Sequence, residues 1–256
     1  MGWFGQEPEA PQQLFSKLAK LFQHRGPDDQ DFQFGSGWGF GFRRLSILDL
    51  RETGRQPMSH AAGRYWLVFN GEIYNYLELR RSLEQQGEGF RGSSDTEVLL
   101  RLLARQGAEA LSRLNGMFAL AFIDTEKRTF LLARAWLGVK PLYYYAQSGQ
   151  LRFASELKAL LAWPDAPRQI NPRALVEYLG LTYLSHKSCI FSNYEKLPPA
   201  HYLTGHLDHP EQVKLESYWR LKINGQADRQ RLTETELSEL ADLLGLSTAP
   251  LTTVVR

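Results

Sequence analysis

Cysteine is almost absent from this sequence, with Cys189 the only one among 256 residues. This excludes an internal disulfide and a metal centre built from several thiolates. A single cysteine fits a reducing, cytoplasmic setting. No stretch approaches the roughly 18 consecutive apolar residues of a membrane span, and the first residues lack the pattern of a secretory signal. Neither a membrane partner nor a secreted, disulfide-stapled fold is therefore expected.

An excess of charge of either sign is also lacking. The chain has 30 Lys and Arg against 28 Asp and Glu, a net charge of +2. Bases and acids are interspersed, so the composition does not predict a nucleic-acid partner. The content of 43% hydrophobic and 23% charged residues is that of a globular protein with a substantial core.

Cofactor and metal signals are weak. The glycine-rich run GSGWGFGF (35–42) matches neither nucleotide-binding glycine pattern. Its period of two indicates a strand that another part of the chain approaches closely. His201, His206 and His209 lie near one another but lack an acidic or thiolate cluster of recognisable spacing, so strand-edge and loop positions explain them more simply than a metal site. We predict no cofactor and no metal.

Periodicity predicts both helices and strands. Apolar residues at helical spacing predict helices over 12–23, 76–86, 95–106, 172–180 and 233–244, and apolar runs predict strands over 65–70, 117–124, 129–135, 142–146 and 151–155. The strands come in consecutive pairs with helices before, between and after them. This order is typical of an α+β fold with sheet-on-sheet packing. The composition turns polar after about residue 205, which predicts a domain over 1–205, followed by a linker and the start of an incomplete further domain over 206–256.

Nine motifs in order are specific enough together to indicate a family. They are HRGPDD (24–29), RRLSILDL (43–50), GRQPM (54–58), NGEIYNY (70–76), SSDTEVLL (93–100), GMFALAFID (116–124), LGVKPLYY (137–144), FASELKALL (153–161) and KLPPAHYL (196–203). Together they resemble the class II glutamine amidotransferase domain of asparagine synthetases, over roughly residues 12 to 220. The resemblance implies an amino-terminal-nucleophile hydrolase fold, a four-layer αββα sandwich of two antiparallel sheets. It also implies glutamine as ligand and a place in asparagine biosynthesis, in a carbon–nitrogen ligase whose ATP-dependent synthetase half uses the released ammonia.

The resemblance also assigns the residues that would hold glutamine. Arg44 matches the residue that pairs with the α-carboxylate, for which a planar guanidinium is suited. Asp95 matches the carboxylate that receives the α-ammonium. Asn70 and Gly71 match the oxyanion hole, and Glu72 belongs to the same substrate-binding segment. Taken singly, these residues have simpler explanations: a surface arginine, a turn between strand and helix, and a helix N-cap at Asp95.

The sequence departs from the family pattern at the nucleophile. The family begins Met-Cys-Gly, and the cysteine, once exposed as the first residue, uses its own α-amino group as base. Here Met1 is followed by Gly2, and neither can act as an acyl-transfer nucleophile. Cys189 lies far along the chain and is expected to be a small buried residue. The family's Ala-Arg-Asp reads Ala133-Arg134-Ala135 here and is followed by Trp136, so a charged partner is lost and a large indole is added near the site.

These departures lead to three hypotheses. The synthetase half's ATP-binding signature Ser-Gly-Gly-x-Asp-Ser is also missing, so no nucleotide site is predicted. The first hypothesis is that the chain descends from glutaminase domains of this family and is inactive because its sequence lacks the nucleophilic cysteine. The second hypothesis is a non-catalytic module that binds glutamine or docks on a separate synthetase chain. The third is a decayed fragment with no selected role.

Overall fold

The computed structural model describes residues 1–45, 52–185 and 188–221, together with five positions between 235 and 242. Within these residues the helices are α1 (Pro11–Leu21), α2 (Tyr76–Glu84), α3 (Asp95–Gln106), α4 (Leu157–Leu161) and α5 (Pro172–Leu181). The strands are β1 (Gly2–Gly5), β2 (Asp29–Gly35), β3 (Trp38–Arg44), β4 (Met58–His60), β5 (Tyr65–Ile73), β6 (Gly116–Asp124), β7 (Thr129–Arg134), β8 (Tyr143–Gln147), β9 (Gln150–Ala154), β10 (Glu195–Lys196), β11 (His201–His206) and β12 (His209–Ser217). None of the described helices is long and apolar enough to cross a bilayer.

The strands form two six-stranded antiparallel sheets. The first sheet has the order β10-β8-β9-β1-β3-β2, and the second has the order β12-β11-β7-β6-β5-β4. In the first sheet the amino-terminal strand β1 is central, paired on one side with β3 and on the other with β9. The first residues of the chain are therefore held in the middle of a sheet rather than at an edge.

Alternation along the strands divides the core into layers. On β5, Val68 packs in the cluster between the two sheets, whereas Phe69 packs against α2 and α3 on the outer face of the second sheet. On β1, Phe4 faces the other sheet and Trp3 faces α1. The molecule is thus a four-layer sandwich of helices, sheet, sheet and helices, which confirms the α+β class and the predicted αββα architecture.

Close packing explains the alternating glycines. A β-carbon at Gly39 would overlap the ring of Trp3, and one at Gly41 would come within 2.9 Å of the Met1 side chain. Trp3 is fully buried and packs edge to face on Phe15 of α1, with ring centroids 5.2 Å apart. The period of two in GSGWGFGF therefore reflects a strand, β3, whose missing side chains make room for Trp3 of β1, for Phe15 of α1 and for Met1. This is the close approach that the pattern predicted.

The helices begin and end close to the residues that the periodicity indicates. Four of the five predicted helices are α1, α2, α3 and α5, and the side chain of Asn171 caps α5 as expected. The fifth, over 233–244, lies largely outside the described residues. The apolar runs did not reveal the edge strands β2, β4, β10 and β12, the inner strands β1 and β11, or the short helix α4. These elements are either short or carry polar residues among the apolar ones, so they show little apolar periodicity.

The polar composition after residue 205 does not end the second sheet. Strand β12 pairs with β11 from His201↔Ser217 to His206↔His209 and forms the edge of that sheet. An edge strand has one face toward solvent and reads as polar, so composition alone placed the end of the fold too early. The described fold continues to Leu221.

Candidate functional site

A cavity of about 490 Å³ opens where the two sheets meet the amino terminus of α3. The five residues singled out from the sequence all line it: Arg44, Asn70, Gly71, Glu72 and Asp95. They come from three separate elements, β3, β5 and the start of α3. The fold therefore brings together side chains that are up to 51 positions apart in the sequence.

The amino terminus of the chain reaches the same cavity. Met1 lies beside β3, where its amino group donates to the carbonyl of Gly41 over 3.1 Å and its own carbonyl accepts from the Gly41 N–H over 2.9 Å. Burial lowers the pKa of this amino group to about 5. At neutral pH it is therefore uncharged, the form in which an amine can act as a base.

The start of α3 is held by a capping arrangement. The Ser94 side chain accepts from the N–H of Glu97 over 3.2 Å, so Ser94 is the N-cap and Asp95 is the first helical residue rather than the cap. The Glu97 carboxylate accepts in turn from the N–H groups of Arg91 and Gly92. These bonds fix the loop before the helix and with it the direction of the Asp95 side chain.

Asp95 joins the helix to the strand that carries the other site residues. Its carboxylate accepts from the N–H of Ile73, at the end of β5, over 3.0 Å. The side chain is only 4% exposed. Burial raises the pKa of Asp95 to about 6 despite the hydrogen bonds from Ile73 and Thr96, and the charge of nearby Glu72 raises it further. A buried carboxylate of this kind is ready to pair with a cation that enters the cavity.

Gln56 also joins strand β5 to helix α3. Its amide oxygen accepts from the N–H of Phe69 over 2.6 Å, and its amide nitrogen lies 3.5 Å from the hydroxyl of Thr96. Gly71 sits against β6 so closely that a β-carbon would overlap the carbonyl oxygen of Met117. Glycine is therefore required at this position by the register of the sheet.

His24 and Arg25, which line the cavity, belong to an ion cluster centred on Glu156. Glu156 accepts from His24 and Arg25, each over 3.0 Å, and from Lys158 over 2.8 Å. Burial alone would raise the pKa of Glu156, but the bonds from Lys158, Arg25 and His24 outweigh it and hold the pKa at about 2. His24 and Arg25 are therefore already engaged and serve to join the chain after α1 to the start of α4.

Several lining residues had no predicted role, among them Gln56, Thr96, Lys140 and Ser155. Each lies inside one of the nine motifs, so the sequence carried a signal that these positions matter, but no chemistry that assigned them to a cavity.

The loop before Lys140 is held by Arg134. Its guanidinium donates to the carbonyl oxygens of Lys140 and Leu197 over 2.8 and 2.7 Å, and also to that of Gly138.

Cys189 and the three histidines lie in structural positions. Cys189 is 3% exposed in a cluster with Phe22 and Tyr194 on the outer face of the first sheet, and burial raises the pKa of its thiol. It is a small buried residue, as predicted. His206 lies 3.2 Å from the Asp208 carboxylate. In the part of the chain that the structure describes, no group of three or more His, Cys, Asp or Glu is arranged to hold a metal ion.

The comparisons with known proteins agree on one family. The model of the glutamine amidotransferase domain matches residues 1–219. A glutamine-hydrolysing asparagine synthetase of Bacillus subtilis (strain 168) is 38% identical over 208 residues, which cover 80% of this chain and 33% of that protein. Asparagine synthetase B of Escherichia coli (strain K12) is 41% identical over 146 residues, or 57% of this chain and 26% of that protein. The chain thus spans about a third or less of the length of these relatives.

Solved structures support the fold. The allosteric regulatory enzyme of purine biosynthesis matches with a TM-score of 0.60 at 22% identity, over 88% of this chain and 50% of that one. The glutamine phosphoribosylpyrophosphate amidotransferase of B. subtilis matches with a TM-score of 0.58 at 22% identity, over 84% and 48%. At this level of identity the likeness concerns the fold alone.

Proposed function

Because the chain belongs to the glutamine amidotransferase domain family, in its class II, asparagine-synthetase-type form, we propose that the cavity binds glutamine and that the chain as written does not hydrolyse it. The observation that carries the proposal is the convergence of Arg44, Asn70, Gly71, Glu72 and Asp95 on one cavity that also contains the amino terminus.

The charges of the cavity suit an α-amino acid. Arg44, 8% exposed at the end of β3, provides a cation for the α-carboxylate. Asp95, with Glu72 close by, provides negative charge for the α-ammonium. In this orientation the side-chain amide extends toward Asn70, Gly71 and Met1. There the Asn70 amide and the Gly71 N–H are the donors that would stabilise a tetrahedral oxyanion.

Hydrolysis lacks its nucleophile. Met1 immediately precedes β1, and its thioether cannot attack an amide. The neutral amino group could accept a proton, but no thiol stands beside it. Cys189, the single cysteine of the sequence, is buried outside the cavity lining with a raised thiol pKa. A base and an oxyanion hole without a nucleophile favour binding over turnover.

Insertion of a cysteine tests this proposal. A variant with Cys between Met1 and Gly2 exposes a cysteine as first residue once the initiator methionine is removed, and a variant with Ala inserted there is its matched control. Ammonia release from glutamine is measured for all three proteins. We expect no turnover in the unaltered chain or the Ala variant, and turnover in the Cys variant. Ammonia release by the unaltered chain would refute the proposed loss of activity.

Glutamine binding is tested separately by thermal denaturation. A ligand present at 100 times its Kd stabilises the folded state by about 2.7 kcal/mol, so millimolar glutamine should raise the Tm. Arg44→Met should abolish the shift because the α-carboxylate loses its cation. Absence of a shift in the unaltered chain, with a folded protein by circular dichroism, would contradict a glutamine pocket.

The wider context follows from the relatives, whose names describe glutamine-hydrolysing asparagine synthetases. We propose that this domain belongs to asparagine synthesis in the cytoplasm, and that 206–256 leads from it, past β12, into a linker and the start of a synthetase domain. Docking on a separate synthetase chain is the alternative arrangement. Co-purification with such a chain, at equal stoichiometry, is the observation that distinguishes the two.

A further inference from the structure

Helix α5 is apolar on most of its surface and almost entirely exposed. Of its ten residues only Ala174 is buried, whereas Val176 and Leu179 are 71% and 72% exposed. The other large apolar residues exposed on α5 and just after it are Leu175, Tyr178, Leu181 and Tyr183. A helix that is apolar on nearly all sides is normally covered by other protein.

The contacts that hold α5 lie at its amino-terminal end. Asn171 caps the helix through bonds to the N–H groups of Arg173 and Ala174, and its own N–H donates to the carbonyl of Ile190. Helices shorter than about 12 residues are marginal in water without packing. The exposed residues from Leu175 onward therefore require a cover.

The chain carries a segment with the complementary pattern. Between 233 and 244 the described positions are helical and exposed, and all five are polar: Thr235, Glu236, Ser238, Glu239 and Asp242. The sequence places Leu237, Leu240 and Leu244 at the intervening helical spacing. This spacing predicts an amphipathic helix, and such a helix needs an apolar surface on which to bury its leucines.

Charge favours the same pairing. Segment 233–244 contains four acidic residues and no basic one. Arg173 lies exposed on α5 itself, and Arg168 lies exposed four residues before Pro172 in the sequence. Lys196 is near enough to Glu177 for their charges to shift each other's pKa. Glu177, the one acid of α5, already accepts from the N–H of Ser185 over 2.6 Å.

The connection is long enough. The described domain ends at Leu221, and 222–232 supply 11 residues before the segment, which can extend about 36–40 Å. A domain of this size has a radius of gyration of about 17 Å. We propose that the apolar face of α5 is covered by the chain's own segment 233–244, which packs with its leucines against Leu175, Val176 and Leu179.

Hydrogen exchange in the full chain tests the proposal. Leu237→Glu with Leu240→Glu places charge on the apolar side of the segment, and Ser238→Glu is the matched control on its polar side. We expect the amides of 175–181 to exchange at least 10-fold faster in the double variant and at the original rate in the control. The amides of α3 provide an internal reference that should change in neither.

A disulfide between Val176→Cys and Leu240→Cys gives an independent readout by mass spectrometry of the intact protein. We expect a cross-link within one chain, at a yield independent of concentration. Equal exchange in the double variant and the unaltered chain would overturn the proposal. So would protection or cross-linking that disappears on dilution, which would identify a second copy as the cover. Neither result bears on the glutamine-dependent rise in Tm, because that rise reports on a cavity that α5 does not line.

Discussion

Replacement of Asp95 by Asn should stabilise the empty protein while removing its affinity for glutamine. The carboxylate is 4% exposed, and burial is the main cause of its pKa of about 6, against 3.8 in the unfolded chain. Because the folded state binds the proton more tightly, it carries more protons than the unfolded state between these two values. The free energy of unfolding therefore falls as the pH rises through this window.

The gap between the two pKa values gives the magnitude. At pH 7.5 ionisation of Asp95 costs the folded state ~3 kcal/mol, and at pH 5 about half of that cost is already present. Asparagine carries no charge, and its amide oxygen can still accept from the Ile73 N–H that the carboxylate now binds. Asp95→Asn should therefore raise the free energy of unfolding by up to ~3 kcal/mol at pH 7.5 and by ~1.5 kcal/mol at pH 5.

Urea denaturation of both proteins at the two pH values measures these differences, and thermal denaturation with glutamine measures binding. The variant should show no glutamine-dependent rise in Tm, because the α-ammonium loses its partner. A variant that is less stable than the unaltered protein by the same amount at both pH values would refute the reasoning. In that case the carboxylate would act as a structural hydrogen-bond acceptor without a burial penalty.

Three further outcomes are expected. The Kd for glutamine of the unaltered protein, measured by calorimetry, should increase ~10-fold between pH 7.5 and pH 5 as Asp95 becomes protonated, and a constant Kd would exclude ionised Asp95 as the ammonium partner. Gly71→Ala should lower the free energy of unfolding by ~1–3 kcal/mol because a β-carbon would overlap the carbonyl of Met117. Urea titration measures this change. Gly89→Ala is the control, because a β-carbon at Gly89 would meet nothing within 4 Å. Arg134→Met should cost at least ~2 kcal/mol in urea denaturation because three carbonyl oxygens lose their donor, and a cost below ~0.5 kcal/mol would show that water replaces it.

Local features of the sequence determined most of the helices and the internal strands. The caps and apolar spacing of α3 and α5 depend on residues within a few positions of one another, so they can be recognised without the fold. The glycines at 39 and 41 indicated close approach for the same reason, although the sequence could not identify Trp3 and Met1 as the groups that approach. The ordered motifs likewise indicated the family and the five cavity residues.

Only the tertiary structure decided the environment of those residues. Asp95 could be a cap by its sequence, but the cap is Ser94, and Asp95 is buried against Ile73 with a raised pKa. The neutral amino terminus beside Gly41 and the strand β12 beyond residue 205 were equally invisible in the sequence. Burial, the shift of a pKa and the pairing of an edge strand depend on what packs from distant parts of the chain. A pattern within one segment carries information only about its own exposed and apolar faces.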